Sequence, residues 1–264
     1  MPQENTIITD EVGSVASITL NRPDVHNAMN ITMIRELARF VNRIETGNKI
    51  RILSINSTGK NFSAGADLNW MKEGLKQDKE QLKSESMELA GLFRTLWESE
   101  IIVLAAVQGI AMGGANGLVA TSDIVIAENT TRFSFSEVKM GLVPATISPF
   151  IVRKIGLSRS TELMLTGRWL DAYEARVSGL VHEVCEEGSL HQSSDAVISN
   201  LLNNGPEAMK EIKRMLRWLE TGPSADQIQE YTAALIAERR ISLEGQEGML
   251  AFLEKRNTRW HDSE

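Results

Sequence analysis

FSAGADLNWMK (Phe62–Lys72) and VQGIAMGGANGL (Val107–Leu118) are the two stretches on which the fold turns. Each runs from apolar, strand-like residues through glycines into a helical pattern. A helix start leaves several backbone N–H groups without partners inside the helix and carries the positive end of its dipole. Two such starts aimed at one point form a fixed pair of donors for an oxygen that gains negative charge. Their glycines allow the backbone to approach a ligand more closely than a residue with a Cβ allows.

Outward from these stretches the chain alternates strands and helices. Thr6–Thr9 and Val15–Leu20 alternate apolar and polar residues around Glu11–Gly13 and predict a β-hairpin. NRPDVHNAMN reads as a loop. Residues 32–44 place Ile34, Leu37, Phe40, Val41 and Ile44 on one helical face. Arg51–Asn56 reads as a strand, Phe62–Lys72 as the start of a helix, and lysine-rich Gly74–Ser84 as a mobile loop or frayed helix. Glu85–Trp97 is helical, Ile102–Val107 a buried strand and Gly113–Thr121 a helix. Asp123–Ala127 and Arg132–Phe135 read as strands. Ser158–Thr166 and Asp171–Gly179 read as helices and Val181–Val184 as a strand. After Gly188 the pattern is helical, broken at Gly205-Pro206 and Gly222-Pro223. Strands alternating with helices, followed by a helical tail, predict an α/β fold.

Composition narrows the function. The 264 residues are 42% hydrophobic and 24% charged, the profile of a globular protein with a sizeable core. A net charge of −7 argues against general nucleic-acid binding, which needs a basic footprint. The longest apolar run, around Ile101–Val107, is too short to span a bilayer. Glu4, Asp10 and Glu11 precede the first arginine, Arg22, so no transit peptide is expected and a cytoplasmic location is. One cysteine, Cys185, rules out an internal disulfide framework, and HEVCEE predicts a buried, inert thiol at a strand end. His26, His182, His191 and His261 lack the spacing of a metal site. Met215, Leu219, Ile228 and Leu235 are apolar residues expected at a subunit interface.

LNRPDVHNAMN, GKNFSAGADL, VQGIAMGGANGL, FSFSEVKMGLVP, LTGRWLDAYEARVSGLVHEV and EGQEGMLAFLEKR follow one another in the order of the enoyl-CoA hydratase/isomerase family, the crotonases, which the chain resembles over nearly its whole length. The resemblance implies a spiral of ββα units over residues 1–200 and a helical oligomerisation segment over 201–264, assembling as a homotrimer or a dimer of trimers. It implies an acyl-CoA thioester substrate, with CoA arriving as part of the substrate and no separate cofactor or metal. The oxyanion donors fall on the amides of Ala66 and Gly114. Substrate contacts fall at Val25 and Ala28, at Ala64, Gly65, Ala66, Asp67 and Leu68, and at Gly113, Gly114 and Gly117.

The chain departs from the family pattern in four places. Asp24 stands where many relatives carry a basic residue, and Asn69 replaces a frequent lysine, so Lys72 or the lysines of 74–84 become candidates for the CoA phosphates. Hydratases of the family use two glutamates. The second maps onto Glu137, the expected general base and possible acid. The first maps onto Gly117, which has no side chain. LVPATISPFIVRKIG (Leu142–Gly156) replaces a glycine-rich segment. With FSAGADLNWMK and Gly117 it most resembles the bacterial methylglutaconyl-CoA hydratase branch. That likeness implies reversible hydration of 3-methylglutaconyl-CoA, with an ordered water in the space at Gly117 and Arg153 or Lys154 as candidate partners of the distal carboxylate. A double-bond isomerase and a non-catalytic acyl-CoA binder are the alternatives.

Overall fold

In the computed structural model, which describes residues 5–47 and 49–260, strands β1 (Ile7–Val12) and β2 (Val15–Leu20) form the antiparallel hairpin that their alternation predicts. Glu4 and His261 lie outside the described residues. Ala16, Ile18 and Leu20 of β2 are fully buried, the period-two pattern of a strand with one face on the core. Parallel pairing then adds β3 (Ile52–Ser57), β4 (Ile102–Val107), β6 (Ile124–Glu128) and β9 (Glu183–Cys185) in the order β1-β2-β3-β4-β6-β9. Every residue of β4 is buried, as expected for a central parallel strand covered on both faces. A second sheet is built from three short strands, β5 (Ile110–Met112), β7 (Arg132–Ser134) and β8 (Trp169–Asp171), with β5 parallel and β8 antiparallel to β7.

Helices link the strands. Asn30 caps α1 (Ile31–Thr46) by accepting from the Met33 amide at 2.9 Å, and Met33, Ile34, Leu37, Phe40, Val41 and Ile44 are its buried face. The helix expected over Phe62–Lys72 begins only at Leu68, as α2 (Leu68–Gly74). The lysine-rich stretch is not a loop throughout. Asp78 and Gln81 form a capping box that starts α3 (Lys79–Glu98). The first turns of α3 are solvated, so they carry no apolar periodicity to read; Leu92, Phe93 and Leu96 farther along are its buried side. α4 (Ala115–Thr121) is wholly buried. Next come α5 (Ser148–Ile155), inside the LVPATISPFIVRKIG segment, then α6 (Leu157–Thr166), α7 (Ala172–Ser178) and α8 (Leu190–Leu202). Cys185 is buried at the end of β9, near the Ala127 carbonyl, and burial raises its thiol pKa. Among the described residues no helix is long and apolar enough to cross a membrane.

Two compact units part within α8, one reaching to Asp195 and the other starting at Ala196. The second contains α9 (Pro206–Leu219), α10 (Ala225–Ile241) and α11 (Leu243–Glu254). Glu244 caps α9 by accepting from the Glu207 and Ala208 amides, both at 2.8 Å, and pairs with Arg239 at 2.9 Å. Met215, Leu219, Ile228 and Leu235 are half-buried rather than exposed. The i,i+4 pair on α9 and the i,i+7 pair on α10 each share one helix face. The exposed apolar residues are others, among them Leu216, Ile236, Phe252 and Leu253.

Candidate active site

Three segments are stitched together at one end of the first sheet. After β2 the chain turns through a 3-10 helix at Pro23–Val25, and His26 and Asn27 take left-handed backbone conformations, both at φ 54°. Asn27 fixes this turn from inside. Fully buried, it accepts from the Arg22 amide at 2.7 Å and donates to the Thr58 and Asn61 carbonyls at 2.8 and 2.9 Å. The second segment joins through Ala64 N–H to His26 O (2.9 Å), Met29 N–H to Gly65 O (2.6 Å) and Asp67 N–H to Met29 O (2.9 Å). The third joins through Ser63 N–H to Ile110 O and Met112 N–H to Ser63 O, both 3.0 Å.

That last pairing sets the register of the site. Ser63 and Ala111 are parallel bridge partners, and three residues beyond each lie Ala66 and Gly114. Neither the Ala66 nor the Gly114 amide donates a hydrogen bond within the described residues. The approach depends on Gly65 and Gly113. Gly65 has φ 90°, and a Cβ there would fall 2.8 Å from the Met112 carbonyl oxygen. Gly113 has φ 54°, and a Cβ there would fall 3.3 Å from Glu137 Oε1. Both positions need glycine for backbone conformation, and Gly65 needs it for space as well.

These segments enclose a cavity of about 620 Å³. Its walls include Val25, Ala28, Ala64, Gly65, Ala66, Asp67, Leu68, Gly113, Gly114 and Glu137, so all but one of the expected site residues meet there. Met71, Met112, Met140 and Leu142 add an apolar wall, and Lys72 is the one lysine or arginine among the described lining residues. The sequence reading missed the methionines, because each sits within a motif chosen for its glycines or acids. It also missed Asn27, for which the available signal in HNAMN was the residue type, since asparagine tolerates left-handed φ better than most residues.

Gly117 is the exception. It is buried in α4, does not line the cavity, and faces the ring of Phe93 from α3. A Cβ at 117 would lie 2.3 Å from Phe93 Cζ and 2.6 Å from both Cε atoms. The expected space for an ordered water is therefore filled by an aromatic ring. Phe93 is fully buried and packs edge-on to Phe150 at 6.2 Å. Arg153 and Lys154 also lie away from the cavity. The Arg153 guanidinium stacks 4.0 Å over Trp97. Lys154 is not a solvated surface residue: its Nζ donates to the Ser122 carbonyl beside the end of α4, and burial pushes its pKa down to about 8.

Two of the cavity's acids, Asp67 and Glu137, are held in opposite states. Burial pushes the Asp67 carboxyl upward, but the Arg22 hydrogen bond and the Asn69 and Trp70 amides outweigh it and hold it below the usual carboxylate range. Arg22 Nη2 pairs with Asp67 Oδ2 at 2.8 Å, and Asp67 Oδ1 caps α2 at 2.7 Å from the Asn69 amide. Glu137 sits in the first turn of the 3-10 helix Ser136–Met140, just after β7. Its Oε2 is buried without a hydrogen-bond partner among the described residues, and burial raises its pKa. A carboxyl desolvated in this way can both accept and return a proton near neutral pH.

The comparisons agree with this geometry. A model of the enoyl-CoA hydratase/isomerase family matches residues 10–263. The chain belongs to that family. It is 31% identical over 248 residues to a trans-2-decenoyl-[acyl-carrier-protein] isomerase of Streptococcus mutans, covering 93% of this chain and 94% of the relative. It is 29% identical over 257 residues to a short-chain-enoyl-CoA hydratase of Clostridium acetobutylicum, covering 96% of both. A crystal structure of an enoyl-CoA hydratase from Shewanella pealeana superimposes with a TM-score of 0.92 at 39% identity, covering 98% of this chain and 97% of that one. The fold is thus the crotonase fold, with its helical C-terminal segment.

Proposed function

We propose that the protein is a hydro-lyase that adds water reversibly across the α,β-double bond of an acyl-CoA thioester. The observation that carries this reading is the pair of unpartnered amides at Ala66 and Gly114, set in register by the Ser63–Ala111 bridge, with the buried Glu137 carboxyl against Gly113. In the proposed reaction the Glu137 carboxylate takes a proton from water as the water oxygen bonds to C3. The π-electron pair moves through C2, and the thioester oxygen gains negative charge, which the two amides hold. The protonated Glu137 then delivers its proton to C2, the enolate collapses to the thioester, and the carboxylate is regenerated. One carboxyl performs both transfers, because Gly117, packed against Phe93, stands at the position of the family's first glutamate.

For the acyl group we propose a branched chain, 3-methylglutaconyl foremost, giving the 3-hydroxy-3-methylglutaryl thioester. The sequence likeness of Leu142–Gly156 supports this choice. Met71, Met112 and Met140 give the cavity an adaptable apolar wall, and Lys72 is the cation available to a distal carboxylate. CoA enters as part of the substrate in this scheme, and the chemistry runs on the chain's own groups. Exposed Leu216, Ile236, Phe252 and Leu253 support self-association; we propose a homotrimer or dimer of trimers in the cytoplasm, and light scattering would test the assembly.

A screen of enoyl-CoA esters tests the activity. Loss of conjugated-thioester absorbance, with product mass increased by one water, is expected. Crotonyl-CoA turned over as well as or better than methylglutaconyl-CoA would remove the branched assignment. A second reading, a double-bond isomerase, is favoured by the Streptococcus relative and needs the same single carboxyl. Appearance of conjugated absorbance from a β,γ-unsaturated ester would establish it in place of hydration. Binding of CoA esters without either change would leave a non-catalytic acyl-CoA binder.

A further inference from the structure

Asn116, in the first turn of α4, is fully buried yet only half satisfied. Its Nδ2 donates to the Ser134 carbonyl at 2.9 Å, while Oδ1 is buried with no partner among the described residues. A buried acceptor without a donor costs stability, and an apolar side chain of the same size would avoid that cost. The residue therefore sits at odds with simple packing, and its surroundings suggest why. The Ser134 carbonyl also accepts from the Gly113 amide at 2.9 Å, and the Asn116 amide donates back to the Gly113 carbonyl at 3.0 Å. Gly113 is thus clasped between Asn116 and the end of β7. Gly114, next in the chain, carries one unpartnered cavity amide. Glu137, three residues beyond Ser134, packs its carboxyl against Gly113.

We infer that Asn116 is a positioning residue that ties the Gly113–Gly114 turn to the strand end bearing Glu137, and so sets the separation between the oxyanion donor and the proton-transferring carboxyl. This inference rests on the hydratase reading, or equally on the isomerase one, since both use that pair. An Asn at 116 bridges the two elements that must keep step during the reaction. Leucine could fill its volume but could not bridge them.

The test compares wild type with Asn116→Leu, Asn116→Ala and Glu137→Gln. Asn116→Leu is expected to fold with a thermal midpoint no lower than wild type. Its kcat should fall about 10- to 100-fold, the scale of loss for a small misplacement of reacting groups, with KM within about threefold. The acid limb of its kcat/KM profile should move to lower pH as the Glu137 carboxyl loses its desolvating wall. An Asn116→Leu kcat within twofold of wild type overturns the inference. So does a loss that tracks only the folded fraction and leaves the acid limb in place. If Asn116→Leu does not fold, Asn116→Ala is read by the same criteria, and failure of both to fold assigns Asn116 to structure alone. A fully active Asn116→Leu beside an inactive Glu137→Gln refutes the Asn116 role and leaves the hydratase reading standing. Absence of turnover by wild type on every unsaturated thioester removes both.

Discussion

Asp67 and Glu137 line the same cavity, and the contrast between them is that of an acid held by donors and one left desolvated. Asp67 is surrounded by donors: Arg22, the Asn69 amide and the Trp70 amide. Glu137 has a buried oxygen with none. The first arrangement keeps a carboxylate ionised and occupied, holding the 22–28 loop against the start of α2. The second raises the pKa of a desolvated carboxyl, the state that the proposed proton transfers require. Composition cannot tell them apart, because both follow a small residue close to a helix start. What distinguishes them is the company supplied by segments distant in the chain.

The contrast predicts unequal effects. The largest belongs to Glu137→Gln, expected to lower kcat by about 10²- to 10⁴-fold with KM within about tenfold, as steady-state assays on the preferred enoyl-CoA would show. Undiminished turnover would erase the distinction. Next comes Gly117→Glu, which puts the family's first glutamate back where the Phe93 ring already stands. Overpacking should cost about 1–3 kcal/mol in denaturant unfolding, and the same substitution should cost less when made in a Phe93→Ala background. A Gly117→Glu variant as stable as wild type would mean that Phe93 yields easily.

Asp67→Ala should destabilise the fold by about 1–2 kcal/mol through loss of the α2 cap. The pH dependence sharpens the comparison further. Asp67 is held below its ordinary pKa, so its contribution is present above the unfolded value and fades as pH falls through the folded one. Glu137 has the opposite sign. Its raised pKa means that stability present below the ordinary glutamate value is lost as pH rises through the folded value. Glu137→Gln should therefore raise the thermal midpoint at neutral pH, and the gain should shrink in acid below the ordinary range. A gain that grows on acidification would contradict the desolvated state of Glu137.

Much of this architecture was legible in the residues themselves. Alternation in Val15–Leu20 and the apolar stripe of Ile34 to Ile44 specify their elements locally, and the family motifs carried Ala66, Gly114 and Glu137 to one site. Other features were not legible, for physical reasons. β5 and β8 are three residues long, too short for a periodicity to repeat. The first turns of α3 lie in solvent and have only their capping box to announce them. The meeting of Phe93 with Gly117 joins residues from two helices, and glycine gives no sign of what fills the volume beside it. Lys154 reads as a surface lysine because nothing near it in the chain reveals the helix end it reaches.

The bridge between Ser63 and Ala111 has a consequence for how this scaffold tolerates change. Because cross-chain pairing, and not the length of the intervening polypeptide, aligns the two amides, the stretch holding α3 can grow, shrink or be exchanged while the donor spacing is preserved. A single residue added between Ser63 and Ala66, or between Ala111 and Gly114, would instead throw one donor out of step with the other. Changes in length are thus expected to be tolerated on one side of that bridge and not on the other.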